Sequence, residues 1–181
     1  YIVKENHNYF NRVYAVYPDE TFRYYDKKHL FAFGKEQDFF EPGEEKTTVT
    51  IKGWKVCPLI CYDLRFPVWS RLKSNGPDFY EYDVLVYVAN WPKMRVNAWD
   101  ILLSARAIEN QSYCIGVNRI GVDGNNLEYP GHSGVYDYSG VQQRYLGAKA
   151  TTLITVLSKE NLDLFRSNFP FQKEADSFIF L

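Results

Sequence analysis

The sequence predicts an α/β protein with a partly parallel sheet, and three observations support this class. Strand-like and helix-like segments alternate between residues 53 and 121, which is the order of βαβ units. The strand-like segments are mostly continuous apolar runs, as in strands that are covered on both faces. The 181 residues can bury a sizeable core and contain no repeat, low-complexity stretch or linker. We therefore expect residues 1–181 to form one domain.

The first predicted element is a β-hairpin. Residues 9–18 alternate in the manner of a strand, a Pro-Asp-Glu turn follows at 18–20, and residues 21–27 resume the alternation. Strand composition on both sides of such a turn is typical of a hairpin. The chain starts at Tyr1 without a Met, and its first residues already resemble the middle of a domain. We therefore expect a further segment upstream.

Three buried strands are predicted in the middle of the chain. They lie within residues 53–64, an apolar run that ends in a polar turn, residues 83–92, which are rich in β-branched side chains, and residues 112–121. Runs of this kind are typical of parallel strands beneath covering helices. Further strand-like runs follow at 133–138 and 142–157.

Three helices are predicted around these strands. They lie at 68–76, where Asn-Gly closes a short helix, at 97–111, and at 159–166. In the longest helix, one face is apolar at i, i+3 and i+4 spacing. Its members are Ala98, Ile101, Leu102, Ala105 and Ile108.

Composition excludes several classes of function. Lys and Arg total 21 against 22 Asp and Glu, a formal charge of −1, so no basic field attracts nucleic acid or an anionic membrane. No apolar run approaches the roughly 20 residues of a membrane span, and no leader or lipid motif is recognisable. Three cysteines, an odd number, favour a reducing compartment. We expect a cytoplasmic protein without metal, cofactor, nucleic-acid or membrane partner.

Cys61 occupies the position where chemistry gathers in such sheets. It follows the apolar run 54–60 and precedes a turn into a helix, and ligands of open α/β sheets bind at the carboxyl ends of strands. Backbone N–H groups and the helix dipole there would favour a thiolate and could hold an oxyanion. Cys57 and Cys114 lie inside strands and are expected to pack as small hydrophobic groups. From position alone, an inert core thiol at 61 remains an equal alternative.

Six segments resemble one family. KVCPLICYDLRFP (55–67) is similar to the nucleophile segment of the nitrilase superfamily, the carbon–nitrogen hydrolases, and YDKKHLF (25–31) to its lysine segment. GKEQDFFEPG (34–43) resembles its second glutamate segment. The remaining similarities point to the omega-amidase branch, which acts on 2-oxo acid amides; they are VANWPKMR (88–95) and ARAIENQSYCIGVNRIG (105–121), with FPFQKEADSF (169–178) at the end.

The resemblance implies a role for each matched residue. Cys61 would be the nucleophile, and Lys27 would stabilise the tetrahedral oxyanion together with the backbone N–H of Tyr62. Glu36 would line the pocket and orient the lysine or the nucleophilic water. The family's other glutamate, its general base and acid, is expected upstream of Tyr1. Lys28, of opposite strand parity, is expected to be an ordinary surface lysine.

Substrate contacts are predicted beside these groups. Trp91 and Arg95 follow the strand-like run 83–90 and could frame the substrate. Arg65 could bind a substrate carboxylate through two hydrogen bonds, or it could form a structural salt bridge. The family's fold implies a four-layer α–β–β–α sandwich, here without its N-terminal elements, and its members commonly form homodimers.

Three functions remain open at this point. The first, which we prefer, is hydrolysis of a small non-peptide amide, an omega-amide of a 2-oxo dicarboxylic acid, to carboxylate and ammonia through a cysteine thioester. The second is a catalytically inactive binding or scaffolding protein on the same fold. The third is an unrelated cysteine hydrolase that uses His29 or His132 as its base.

Overall fold

The computed structural model describes residues 1–72, 80–176 and 178. Its strands, in chain order, are β1 (Ile2–Glu5), β2 (Asn8–Val16), β3 (Phe22–Asp26), β4 (Val49–Ile51), β5 (Trp54–Ile60), β6 (Val84–Ala89), β7 (Tyr113–Asn118), β8 (Ile120–Val122), β9 (Glu128–Pro130), β10 (Gly134–Tyr136) and β11 (Gln142–Tyr145). Its α-helices are α1 (Pro67–Ser70), α2 (Val96–Asn110) and α3 (Lys159–Asn168).

The predicted hairpin is confirmed as part of a three-stranded sheet. Strands β2 and β3 pair antiparallel, with Arg12 opposite Asp26, and β1 adds to the other edge of β2. The turn closes with a bond of 2.8 Å from the N–H of Tyr17 to the carbonyl of Thr21. Buried Arg12 donates to the Asp26 carboxylate at 2.6 Å. The end of β3 is therefore held firmly, which matters for Lys27, the next residue.

The predicted parallel strands form the centre of a six-stranded sheet in the order β11-β10-β7-β6-β5-β4. β5, β6 and β7 are parallel to one another, and the flanking strands pair antiparallel. Because parallel strands end at the same edge, residues 61, 90 and 118 are brought together there. β2 of the smaller sheet packs against β5.

Two predicted elements are shorter than expected. The helix predicted at 68–76 starts as α1 but ends at Ser70, and residues 73–76 lie outside the described residues. The strand predicted over 142–157 is wrong beyond Tyr145. Gly147 there has a φ of +58°, which breaks an extended run, and the apolar side chains of Ile154 and Val156 are exposed instead of paired into a sheet.

Helix α2 covers the sheet with a different face from the predicted apolar one. Its buried side chains are Trp99, Leu103, Arg106, Ala107 and Asn110. The predicted face is only partly covered: Ile101 is 58% and Ile108 48% exposed, whereas Ala98 and Leu102 are partly buried against the core.

Hydrogen bonds to buried backbone account for the polar members of the buried face of α2. Arg106 donates to the carbonyl of Leu64 at 2.6 Å, and the side-chain oxygen of Asn110 accepts from the N–H of Leu72 at 2.7 Å. The helix lies close to β7 because Gly116 has no side chain. A Cβ there would come within 2.4 Å of Leu103. α2 therefore sits directly behind the edge at which the site forms. Within the described ranges, no helix is both long and apolar enough to cross a membrane.

Candidate active site

A cavity of about 690 Å³ opens at the carboxyl ends of β5, β6 and β7. All the residues that the sequence predicts for the site line it, and these are Lys27, Glu36, Cys61, Tyr62, Arg65, Trp91 and Arg95. They come from four separate stretches of chain, so only the fold brings them together.

Cys61 presents its thiol at the end of β5. Its φ of +45° turns the chain sharply out of the strand, and its Sγ lies 3.8 Å from the carbonyl oxygen of Asn90. Burial raises the pKa of this thiol, and the nearby Lys27 ammonium lowers it only in part. The expected preference for a thiolate is therefore wrong. The turn that follows, Cys61–Arg65, is a short 3-10 helix, and the Asp63 carboxylate within it raises the thiol pKa further.

Lys27 lies immediately after β3 and is 2% exposed. Its ammonium is 2.6 Å from the Glu36 carboxylate, whose same oxygen accepts from the N–H of Phe31 at 2.8 Å. The Lys27 main chain is fixed on both sides, to the carbonyl of Asn11 and by the N–H of Gly43, each at 2.9 Å. Glu36 is thus a paired, 22% exposed carboxylate and not a solvated loop side chain.

Lys28 points elsewhere. Its ammonium lies 5.3 Å from the centre of the Trp69 ring, and it does not line the cavity. The structure therefore distinguishes two adjacent lysines as the strand parity predicted.

Tyr62 forms part of the wall next to the thiol. Its ring packs edge-on against Phe31 and Phe66, with centroids 5.0 and 5.1 Å away. Its N–H belongs to the first turn of the 61–65 helix, where backbone donors lack helical acceptors. That N–H therefore lies where no helical acceptor precedes it.

Two arginines face the cavity over aromatic rings. The guanidinium of Arg65 lies 4.8 Å from the centre of Trp91, and that of Arg95 lies 5.3 Å from the centre of Phe31. Neither forms an ion pair with an acidic side chain in the part of the chain that the structure describes. The structural salt bridge considered for Arg65 is therefore not observed among these residues.

Asn118 is a site residue that the sequence analysis missed. Its side chain accepts from the N–H of Trp91 at 2.7 Å, donates to the Trp91 carbonyl at 2.9 Å and donates to the Gly131 carbonyl at 2.8 Å. It therefore fixes the loop after β6, including the Asn90 carbonyl beside the thiol. The only signal in the sequence was its position at the end of a buried strand.

Asp63 is the second residue that was missed. It is fully buried two residues after Cys61, and its carboxylate accepts hydrogen bonds from Tyr25, His29 and Ile60. An acidic residue three positions after the end of an apolar strand was the available signal.

The two candidate histidines are bonded to carboxylates outside the cavity lining. His29 is bonded to Asp63 at 2.9 Å and stacked on Phe66 at 3.7 Å, and His132 is bonded to Asp100 at 2.9 Å. Neither lines the cavity, so the structure does not support a Cys–His pair. Over the described ranges, no group of three or more potential metal ligands is assembled.

Comparison with known proteins agrees with the family resemblance of the sequence. Residues 1–166 match the family described as Carbon-nitrogen hydrolase. The chain belongs to this family. A carbon–nitrogen hydrolase superfamily protein from Xanthomonas campestris, solved with an arsenic adduct in its active site, superposes with a TM-score of 0.95 and 41% identity over 99% of this chain and 69% of that one. The match confirms the predicted carbon–nitrogen hydrolase fold.

Two curated relatives extend the comparison. Omega-amidase YafV of Yersinia enterocolitica is 43% identical over 172 residues, covering 94% of this chain and 65% of the relative. The 2-oxoglutaramate amidase of Bacillus subtilis is 35% identical over 136 residues, covering 75% of this carbon–nitrogen hydrolase and 51% of the relative. The chain thus spans less than two thirds of either relative.

Proposed function

We propose that this carbon–nitrogen hydrolase cleaves a small non-peptide amide, the omega-amide of a 2-oxo dicarboxylic acid, to carboxylate and ammonia through a thioester on Cys61. The observation that carries the proposal is the convergence of a thiol, a buried Lys27–Glu36 pair and the Tyr62 N–H on one cavity. The names of the two curated relatives support the substrate class.

In the acylation step, the Cys61 sulfur attacks the amide carbon and the carbonyl oxygen becomes an oxyanion. The Lys27 ammonium and the Tyr62 N–H stabilise that charge, which exists only near the transition state. The C–N bond then breaks, and the thiol proton leaves with the nitrogen as ammonia. Water subsequently attacks the thioester and releases the acid.

Proton transfer needs a base because burial raises the pKa of Cys61. Glu36 already accepts from Lys27 and Phe31, so we assign it the orientation of the ammonium. Asp63 is saturated with hydrogen bonds from protein groups. We therefore assign general base and acid catalysis to a carboxylate outside the described residues, as the family resemblance implies.

The arginines explain why an anionic amide would be preferred. Arg65 and Arg95 bring positive charge into the cavity without an acidic partner among the described residues. A guanidinium binds a carboxylate through two parallel hydrogen bonds, and stacking on Trp91 and Phe31 restricts both side chains. We propose that they hold the substrate carboxylate while the amide reaches Cys61.

We also propose a cytoplasmic homodimer. The three cysteines are free thiols, which suits a reducing compartment. The exposed face of α2 carries Ile101 and Ile108, and Val141 and Tyr145 are exposed as well; Ile101, Ile108 and Tyr145 line one open groove. An apolar surface of this kind on both copies suits a symmetric contact. Light scattering during gel filtration should give twice the subunit mass.

The deciding experiment is ammonia release from 2-oxoglutaramate, compared with a neutral amide of similar length. Wild-type protein should hydrolyse the anionic amide, and Cys61→Ala should abolish the reaction. Arg65→Gln and Arg95→Gln should raise KM for the anionic amide and leave the neutral one unaffected.

Two outcomes would count against the proposal. No ammonia from any amide would favour the inactive binding protein. Equal turnover of the neutral and anionic amides would refute the substrate class and leave the amidase mechanism intact.

A further inference from the structure

We propose that Asp63 is a positioning residue that holds Lys27 at its working distance from Cys61. The proposal rests on the amidase function above, and it concerns how two distant parts of the sequence keep a fixed geometry. Lys27 follows a strand of the small sheet, whereas Cys61 ends a strand of the large one. The two reactive groups therefore need a connection between the sheets.

The Asp63 carboxylate provides that connection through four donors. One oxygen accepts from the N–H of His29 at 3.0 Å and from its ring Nδ1 at 2.9 Å. The other accepts from the hydroxyl of Tyr25 at 2.8 Å and from the N–H of Ile60 at 3.0 Å. Tyr25 and His29 flank Lys27 by two residues on either side, and Ile60 directly precedes Cys61.

Tyr25 extends the connection to the lysine segment itself. Its hydroxyl also accepts from the backbone N–H of Lys28 at 3.1 Å and from the indole Nε1 of Trp69 at 3.0 Å. The main chain after Lys27 is thus bound to the turn that carries the nucleophile, directly at His29 and through the Tyr25 hydroxyl at Lys28. Before Lys27, the connection is made by the Tyr25 side chain.

Burying the Asp63 carboxylate costs free energy unless hydrogen bonds satisfy it, so its four donors are needed in place. The side chain is 0% exposed, and an ionised carboxylate in that setting persists only when it is fully hydrogen-bonded. Its bonds come from neutral backbone and hydroxyl donors and from one imidazole. Two donors on each oxygen hold the carboxylate in one place, so this network fixes distances as well as satisfying a buried polar group.

The pKa of the Cys61 thiol distinguishes a positioning role of Asp63 from a purely electrostatic one, because the two roles predict shifts of opposite sign. The groups that interact electrostatically with the thiol come from five elements. They are Lys27 after β3, Glu36 in the 36–38 turn, Asp63 in the nucleophile turn, the Asn90 carbonyl after β6, and Tyr129 in β9. Lys27 lowers the pKa of the Cys61 thiol, whereas Asp63 raises it. Displacing Lys27 therefore raises that pKa, and removing the Asp63 charge alone lowers it.

The test uses Tyr25→Phe, which removes one donor to Asp63 and changes no charge. Its matched control is Tyr82→Phe, another fully buried tyrosine, whose hydroxyl donates to the carbonyl of Ser70 away from Lys27. The rate of iodoacetamide labelling of Cys61 is measured against pH for both variants. This readout needs no substrate, so it remains informative if the amidase proposal fails.

In Tyr25→Phe, the Cys61 labelling profile should move to higher pH. In Tyr82→Phe, it should stay at the wild-type position. With 2-oxoglutaramate, kcat should fall between about tenfold and a hundredfold with little change in KM. An unchanged or lowered profile in Tyr25→Phe, or equal shifts in both variants, would overturn the proposal. Should Tyr25→Phe fail to fold, His29→Leu removes the half-buried Nδ1 donor and is judged by the same profile.

Discussion

Replacing Lys27 with Ala should lower both kcat and the free energy of unfolding, and the structure gives a separate magnitude for each. Loss of one oxyanion donor lowers kcat by about a hundredfold or more, which corresponds to roughly 3 kcal/mol of transition-state stabilisation. KM should change little, because the oxyanion is absent from the bound substrate. Lys28→Ala is the matched control, since that ammonium lies over Trp69 outside the cavity.

The loss of folding stability in Lys27→Ala depends on the Glu36 carboxylate, which loses its ion-pair partner. Among the described residues, Lys27→Ala leaves the Glu36 carboxylate, 22% exposed, with the Phe31 N–H at 2.8 Å as its one remaining donor. Stranding a fully buried charge costs about 3–5 kcal/mol, so partial exposure here suggests about 1–3 kcal/mol. The double variant with Glu36→Gln should be less destabilised than the sum of the two single variants.

Steady-state kinetics and urea unfolding of the four variants measure these quantities. Equal losses of kcat in Lys27→Ala and Lys28→Ala would show that the lysine assignment is wrong. Strict additivity of the two unfolding penalties would show that Lys27 and Glu36 do not stabilise one another.

Three further predictions concern the thiols and the packing of α2. Iodoacetamide near neutral pH should label Cys61 far faster than Cys57 or Cys114, because Cys61 is partly exposed and the other two are fully buried; peptide mapping with equal labelling would contradict the assignment of Cys61 as the nucleophile. Burial raises the pKa of Cys57 to about 12 and raises that of Cys114 as well. Because an unfolded thiol has a pKa of about 8.5, the two buried thiols stabilise the fold fully below about pH 8.5, and this stabilisation falls as the pH rises towards 12. In that pH range, the free energy of unfolding should fall less steeply in Cys114→Ala, by about 1.4 kcal/mol per pH unit. An unchanged slope would contradict the raised pKa of the buried Cys114 thiol. Gly116→Ala should cost about 1–3 kcal/mol in thermal unfolding because its Cβ would overlap α2, whereas Gly124→Ala, in open space, should be near neutral.

The elements that the sequence predicted well are those whose signals are local. The β2–β3 hairpin needs only alternation on both sides of a turn, and both are visible in residues 9–27. The β6–α2–β7 unit is equally local, because a buried strand, a helix and a second strand follow one another without interruption. Cys61 was singled out by its position at the end of a predicted strand, but its role, like Lys27 and Glu36, came from the family resemblance. The separation of these residues in the chain leaves no local signal that would join them.

The failures involve interactions between distant residues. The apolar stripe of α2 pointed to the wrong face because Arg106 and Asn110 are buried through bonds to the carbonyl of Leu64 and the N–H of Leu72. Their partners lie some 40 residues away in the chain, and hydropathy counts both side chains as solvent-facing. The pKa of Cys61 was misjudged for a related reason, since desolvation depends on how tightly other segments close around the thiol.

The left-handed backbone at Cys61 limits which nucleophiles evolution or design can place there. At a φ of +45°, a β-branched side chain is a genuine outlier, with a cost of about 1–2 kcal/mol. Thr and Val are therefore disfavoured at this position by the main chain, before any chemistry is considered. Ser has the shape to replace the thiol and offers a hydroxyl in the same place. A library that randomises residue 61 should retain folded Ser, Ala and Gly variants and be depleted of Thr, so the choice of reactive atom is restricted by conformation as well as by reactivity.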